Sequence, residues 1–367
     1  MHFSCNKKDL MNAVSIAVKA VASKPLSAIQ ECILIEAAEN YVSMKCTDLV
    51  LSIQSGISAN VVEKGKAAVN ARLFFELVAK FPEEEIFVKT DEGGQLQIEC
   101  AGAKTALNLF PYEEFPEFPE TPKEKPVAIK ENNLRKMIHQ TIFSSAVTED
   151  KPILTGALLE AEEEQVKLVA LDGYRMAMRK EAVAKGAGKK SAVIPAKSLR
   201  ETARILSDSD AETRVYIGNK TVLVENGESR IFTRLLEGDF INYKAFLPTE
   251  FKTRAIVPTE AFCVAIERAS ILSREENNNL IKISIKEDRL IITANSEIGR
   301  SYEEMPAAVE GKELDIAFNA RYLTDVLKNI EAPEVAVDFN SNISPCVLRP
   351  VEGESFYYLV LPVQIRG

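Results

Sequence analysis

The 367-residue chain has no tryptophan and only two histidines, His2 and His139, and aromatic residues make up just 7% of it. Its cores therefore have to be built from aliphatic side chains. Six cysteines (Cys5, Cys32, Cys46, Cys100, Cys263 and Cys346) are scattered and form no CxxC pair. With two imidazoles to assist them they offer no metal-ligand spacing, so neither a metal nor another cofactor is expected. Reduced, mostly buried thiols in a cytoplasmic protein are the expectation. No apolar run approaches the roughly 18 residues that a membrane span needs. Met1-His2-Phe3-Ser4-Cys5 leads into a polar, lysine-containing segment without a signal-peptide core. No membrane partner is expected.

An excess of positive charge is also lacking. The formal net charge is −9, whereas a protein that simply wraps nucleic acid is usually basic. A protein whose cations are confined to one face stays open. Catalytic motifs are missing too: there is no HExxH, no GxSxG and no complete Walker A. Lys185-Gly186-Ala187-Gly188-Lys189-Lys190-Ser191 has Val183 where that pattern needs glycine, and reads as a mobile loop. Asp172-Gly173-Tyr174-Arg175 could be an Asp/Arg catalytic pair, but Asp-Gly after a strand is first a turn signal. An enzyme is not expected.

What is present is a repeat. Hydrophobic residues at 46% and charged residues at 27% suit a soluble globular chain of two to four domains. Three segments share one signature: Val69-Asn70-Ala71-Arg72-Leu73-Phe74, Ile194-Pro195-Ala196-Lys197-Ser198-Leu199 and Phe318-Asn319-Ala320-Arg321-Tyr322-Leu323. Their cations lie 125 and 124 residues apart. Amphipathic helices are predicted in phase with them, over 8–21, 132–145 and 259–273. After each first helix come two strand-like runs, Cys32–Glu36 with Tyr41–Met44, Ala157–Glu160 with Val166–Ala170, and Ile281–Ile285 with Leu290–Thr293. A further strand group follows each second helix. The pattern predicts an α+β protein of three repeated domains, 1–124, 125–250 and 251–367, each with two helices packed on antiparallel sheets. The junctions fall in the proline-rich stretch 116–126 and near 248–258.

At Leu171-Asp172-Gly173-Tyr174-Arg175-Met176-Ala177, at 233–243, at Phe318-Asn319-Ala320-Arg321-Tyr322 and at Tyr358-Leu359-Val360-Leu361-Pro362-Val363, the chain resembles the bacterial DNA polymerase sliding clamp, the beta subunit that gives the replicative polymerase its processivity. The resemblance covers the whole chain. It implies three clamp domains in a head-to-tail dimeric ring that encircles duplex DNA without reading its sequence. It also implies partners: a second copy, a clamp loader, replicative and repair polymerases, a ligase and other proteins bearing a clamp-binding motif.

Carried over by position, the resemblance implies a client-peptide cleft. Its deep part would comprise Leu154, Leu171, Gly173, Tyr174, Arg175, Met176, Ile241, Phe246, Leu359 and Leu361. A shallower channel would comprise Asn319, Tyr322, Ile343, Pro345, Pro362 and Val363. Tyr174 replaces a common histidine, Phe246 is bulkier than usual, and the tail reads Gln364-Ile365-Arg366-Gly367. DNA-facing residues would be Lys24, Arg72, Lys151, Lys197 and Arg321, within a wider set of basic helix residues that includes Lys136, Arg204, Arg268 and Lys328. Pro152 and Ile153 stand where some relatives carry aromatics. The ring interface would join Ile271 and Leu272 to Leu107 of a second copy. Read from the residues alone, the apolar ones are core candidates and the basic ones a solvated helix face.

Overall fold

A computed structural model describes residues 1–148, 150–184, 188–275 and 279–364. Residues 185–187 of the expected 185–191 loop and the tail residues Ile365, Arg366 and Gly367 lie outside these, while Lys190 and Ser191, expected in that loop, begin the strand Lys190–Pro195 and pair with Ala161 and Glu160. Six α-helices are described: α1 (Lys7–Ala17), α2 (Ala71–Lys80), α3 (Glu131–His139), α4 (Ala196–Ile205), α5 (Thr259–Glu275) and α6 (Ala320–Leu327). The strands form sheets of five, eight, nine and four members. Every pairing between named strands is antiparallel, as the alternating strand patterns predict.

The helices start where the sequence says, for local reasons. Asn6, Asn70 and Asn319 are N-caps whose side chains accept from the backbone N–H of Lys8, Leu73 and Arg321. Two of the first helices end sooner than predicted. α1 stops at Ala17 and passes into a 3₁₀ turn, Val18–Ala20, where the Val18 N–H is shared between Val14 and Ile16 carbonyls. α3 stops at His139, and the Thr141 hydroxyl donates to the carbonyls of Met137 and Ile138, so a side chain takes over the last turn.

Each repeat also begins with a strand that the sequence reading missed: His2–Asn6, Val127–Lys130 and Thr253–Pro258. The third occupies much of the predicted junction. It pairs with Glu334–Phe339 on one side and Ala308–Gly311 on the other, burying Thr253, Ala255 and Val257 in strict alternation.

The chain forms two compact units, Met1–Arg135 with Lys197–Leu235, and Lys136–Ala196 with Leu236–Gly367. The middle repeat is divided because its strands pair with both neighbours. Ser229–Arg234 pairs with Leu51–Ser58 in the eight-stranded sheet, and Arg175–Ala182 pairs with Phe356–Val360 in the nine-stranded sheet. In the first unit, Phe3, Leu10, Ile33, Ile35, Met44 and Phe74 are fully buried. The second unit's core gathers Phe262, Ile266, Ile281, Ile283, Phe318, Leu323 and Tyr358. All six thiols are buried and unbridged, and burial pushes Cys5 up to about 12. Among the described residues no helix is long and apolar enough to cross a membrane.

Candidate partner cleft and cation positions

The cleft residues are organised by the turn at Asp172, within the second unit. Its carboxylate Oδ1 accepts from the backbone N–H of Tyr174 at 2.9 Å and of Arg175 at 3.0 Å. Gly173 sits at φ +96°, a left-handed conformation that glycine adopts without a Cβ clash. The turn therefore sets Tyr174 outward, 60% exposed, and starts the next strand at Arg175. The Arg175 guanidinium is almost fully used: Nε donates to Asp172 Oδ2 at 3.0 Å, Nη1 to Asp325 Oδ2 at 2.6 Å and Nη2 to the Phe143 carbonyl at 2.9 Å. Its carbon lies 4.8 Å from the Tyr322 ring centroid, within cation–π range. Tyr322 in turn stacks on Tyr174 at 5.8 Å and 19°. Burial first, then the Asp172 carboxylate, pushes the Tyr322 hydroxyl above its ordinary range.

Beside this polar frame lies an apolar one. Leu154, Leu171, Met176 and Leu359 are buried in one cluster with Leu158, Met178, Val193 and Tyr243, and Ile241 packs at its edge. The tail crosses both frames: the Leu361 N–H donates to the Tyr174 carbonyl at 2.9 Å and the Val363 N–H to the Ala317 carbonyl at 2.8 Å. Ile343 and Val363 share a groove of about 420 Å³ with Ala317, Asn342 and Gln364. Asn319, Tyr322, Pro345 and Pro362 do not line that groove. Asn319 is occupied as the cap of α6, and the prolines are half-buried.

Phe246 is 59% exposed and stays out of the apolar cluster. The residue of its 3₁₀ turn that packs inward is Tyr243, whose hydroxyl donates to Glu160. Tyr243, Phe143 and Asp325 are the residues the sequence reading left off the site. Only Tyr243 had a signal, at the end of the 233–243 segment. Ile153 packs half-buried against the same cluster, so it does not stand free for base stacking.

The three repeated cations take equivalent places. Arg72, Lys197 and Arg321 are the second residues of α2, α4 and α6, and none of those helices has an acid in its first turn. All three are exposed, as are Lys24 and Lys151. Among the described residues Lys24, Arg72 and Lys151 make no ion pair, while Lys197 meets Asp48 at 3.0 Å and Arg321 lies 4.0 Å from Asp325. The wider set is less available. Lys136, Arg204, Arg268 and Lys328 are tied to Glu331, Glu201, Glu303 and Glu267.

The candidate interface residues flank open sheet edges. Leu107 is half-buried on Ala103–Asn108, the outermost strand of the five-stranded sheet. In the other unit, Gly299–Pro306 is an outermost strand of the four-stranded sheet. On α5, Ile271 is 59% exposed, and Leu272 lies over Gly299, where a Cβ would stand 3.7 Å from its Cδ1.

Three copies of a two-helix, antiparallel-sheet unit in one chain, stitched through shared sheets, are the build of the sliding-clamp class. The chain matches the N-terminal domain of the DNA polymerase III beta subunit over residues 1–119, its central domain over 128–242 and its C-terminal domain over 244–364. It is 32% identical over 376 residues to the beta sliding clamp of Bacillus subtilis (strain 168), covering 99% of this chain and 100% of that one. The crystal structure of the DNA polymerase sliding clamp from Bacillus subtilis superposes with a TM-score of 0.96 over 100% of both chains at 32% identity. The beta subunit from DNA polymerase of Streptococcus pyogenes gives 0.95 at 28% identity, again over 100% of both. The chain belongs to the DNA polymerase III beta subunit family, the bacterial beta sliding clamps.

Proposed function

We propose that two copies of this chain close head to tail into a ring around duplex DNA and tether client proteins by short peptides held in the cleft at Tyr174, Arg175, Leu359 and Leu361. The domains divide as 1–124, 125–250 and 251–367, and the protein works in the cytoplasm. Clients on this reading are the replicative polymerase, a clamp loader, repair polymerases and a ligase, and the chain itself makes and breaks no bond.

The observation that carries the reading is the placing of Arg72, Lys197 and Arg321. A helix N-terminus is the positive end of the dipole, so a cation there costs about 0.3–1 kcal/mol and an acid would be favoured. All three equivalent helices hold a cation and no acid in that turn. A phosphate backbone would be met there by the positive end of the dipole and a positive side chain together. Few and weak contacts suit a ring, because topology retains the DNA and tight phosphate binding would halt sliding.

Closure is supported by the two open edges. Pairing the Ala103–Asn108 strand of one copy with the Gly299–Pro306 strand of another would satisfy both edges and cover Leu107, Ile271 and Leu272. The cleft is supported by exposed Tyr174, Phe246, Ile343, Leu361 and Val363 beside a preformed apolar cluster, the pattern of anchor-residue recognition.

The test is topological. Protein loaded onto nicked circular DNA by a clamp loader should stay on circles and be lost when they are linearised. Equal retention on both forms would mean ordinary binding. No retention with a competent loader would favour a repeat scaffold that binds proteins only.

A further inference from the structure

Asp325 faces two arginines with one oxygen. Its Oδ2 accepts from Arg175 Nη1 at 2.6 Å and stands 4.0 Å from Arg321 Nε. Arg175 belongs to the cleft: its side chain is only 9% exposed, and it supports the Tyr322 ring that stacks on Tyr174. Arg321 is the opposite case, 77% exposed on the first turn of α6 and placed toward DNA on the reading above. Asp325 lies one turn further along that same helix, with Tyr322 between the two.

We infer that Asp325 is a positioning residue shared by the cleft and the DNA-facing surface, and that it makes peptide binding and DNA binding support each other; the inference rests on the assignment of both surfaces under Proposed function. With Arg321 free, two cations compete for Oδ2 and repel one another. A phosphate that takes Arg321 removes both effects, leaving Asp325 to Arg175 alone. Arg175 is then held more firmly against Tyr322, and a peptide meets a better-ordered platform. Linkage requires the reverse as well: a bound peptide that fixes Arg175 releases Arg321 to phosphate. The Arg321 contact is long and solvent-exposed, so the gain is about two- to fivefold in affinity. Arg175 itself is fixed at three further points, Asp172, the Phe143 carbonyl and the Tyr322 ring. The device therefore adjusts a formed cleft and does not open or close it.

The experiment measures the affinity of the full chain for a dye-labelled, uncharged peptide with leucine and phenylalanine anchors, with and without a saturating short duplex at low salt. An uncharged probe removes direct attraction or repulsion between peptide and DNA. Wild type should bind the peptide about two- to fivefold more tightly with DNA. Arg321→Gln should bind it without DNA about as tightly as DNA-bound wild type, and adding DNA should change nothing. Asp325→Asn should weaken peptide binding about tenfold and lose the DNA effect, while Asp325→Glu should restore both. A melting curve separates loss of fold from loss of position, and Arg321→Gln, altered only at an exposed site, keeps the inference testable if Asp325→Asn unfolds.

An equal DNA effect in wild type and Arg321→Gln overturns the inference, as does unchanged peptide binding in Asp325→Asn. If no form binds the peptide, the cleft assignment fails and this inference with it. If the peptide binds but Arg321→Gln and wild type show the same salt dependence for DNA, the DNA-facing assignment of Arg321 is what fails, again overturning the inference.

Discussion

Replacing Ile271 with alanine separates ring closure from folding. The side chain is 59% exposed on α5, so more than half of it is left for a partner to cover. Burying a whole isoleucine side chain stabilises by about 1.5–3 kcal/mol. The exposed share, less the methyl that alanine keeps, amounts to about 0.4–1.3 kcal/mol per interface. A two-subunit ring has two equivalent interfaces, so the loss is about 1–2.5 kcal/mol, or a dimer dissociation constant raised about 5- to 70-fold. In the isolated chain the change should cost under about 0.5 kcal/mol, as exposed substitutions usually do. Sedimentation velocity across a dilution series reads the first number, and urea unfolding of the dilute chain reads the second. Val62→Ala is the control, 67% exposed on the Asn60–Glu63 strand at the other edge of the five-stranded sheet, and should leave assembly unchanged. A dissociation constant within twofold of wild type for Ile271→Ala would remove α5 from the interface. An equal loss of folding stability would mean that the side chain belongs to the core.

Three further outcomes are expected. Glu131, 5% exposed, accepts from the Ser207 N–H, the Ser209 hydroxyl and the Asn226 amide; burial alone would raise its pKa, but these hydrogen bonds outweigh burial and lower it. Its stabilisation should therefore be complete above the unfolded value of about 4.3 and fade as pH falls through the lower folded value, while Glu131→Gln should lose about 2–4 kcal/mol at neutral pH and flatten that dependence in urea unfolding. Replacing Arg72, Lys197 and Arg321 by glutamine should lower the salt slope of duplex binding by roughly 0.9 per charge engaged, with circular dichroism and melting temperature held or slightly raised; an unchanged slope would mean that these cations do not touch DNA. Gly173→Ala should strain the Asp172 turn by about 1 kcal/mol and weaken peptide binding measured by calorimetry, with dimerisation unaffected.

The repeat, the sheet strands and the buried faces could be read because they depend on local pattern: apolar spacing, Asn caps and Asp-Gly at the turn. Thr253–Pro258 was hidden because prolines at both ends of 248–258 read as a linker, although Thr253, Ala255 and Val257 carried the period of a strand. Helix ends were overrun where one threonine hydroxyl, Thr141, took the carbonyls of the last turn. That Phe246 stands exposed on a short turn while Tyr243 of the same turn packs inward follows from tertiary packing, which no local pattern shows. The ion pairing of the cleft and of the repeated cations is set by distant residues. Arg175 finds Asp325 150 residues away and Lys197 finds Asp48 149 residues away, and no local rule pairs such residues.

The counter-ions also bear on why the repeated cations are there. A cation needed to start a helix would meet the same partner in every repeat. Here Lys197 pairs with a turn carboxylate from the first repeat, Arg321 lies near an acid on its own helix, and Arg72 has no ion pair among the described residues. Nor does the cap require it, since Asn70 and Asn319 supply the capping oxygen from their own side chains and only backbone N–H groups are received. The position is held by a positive charge in all three repeats while everything that could stabilise that charge differs. A feature held against the helix dipole, with no common partner among the described residues, is the pattern that the salt-slope measurement on Arg72, Lys197 and Arg321 tests for a shared polyanionic partner.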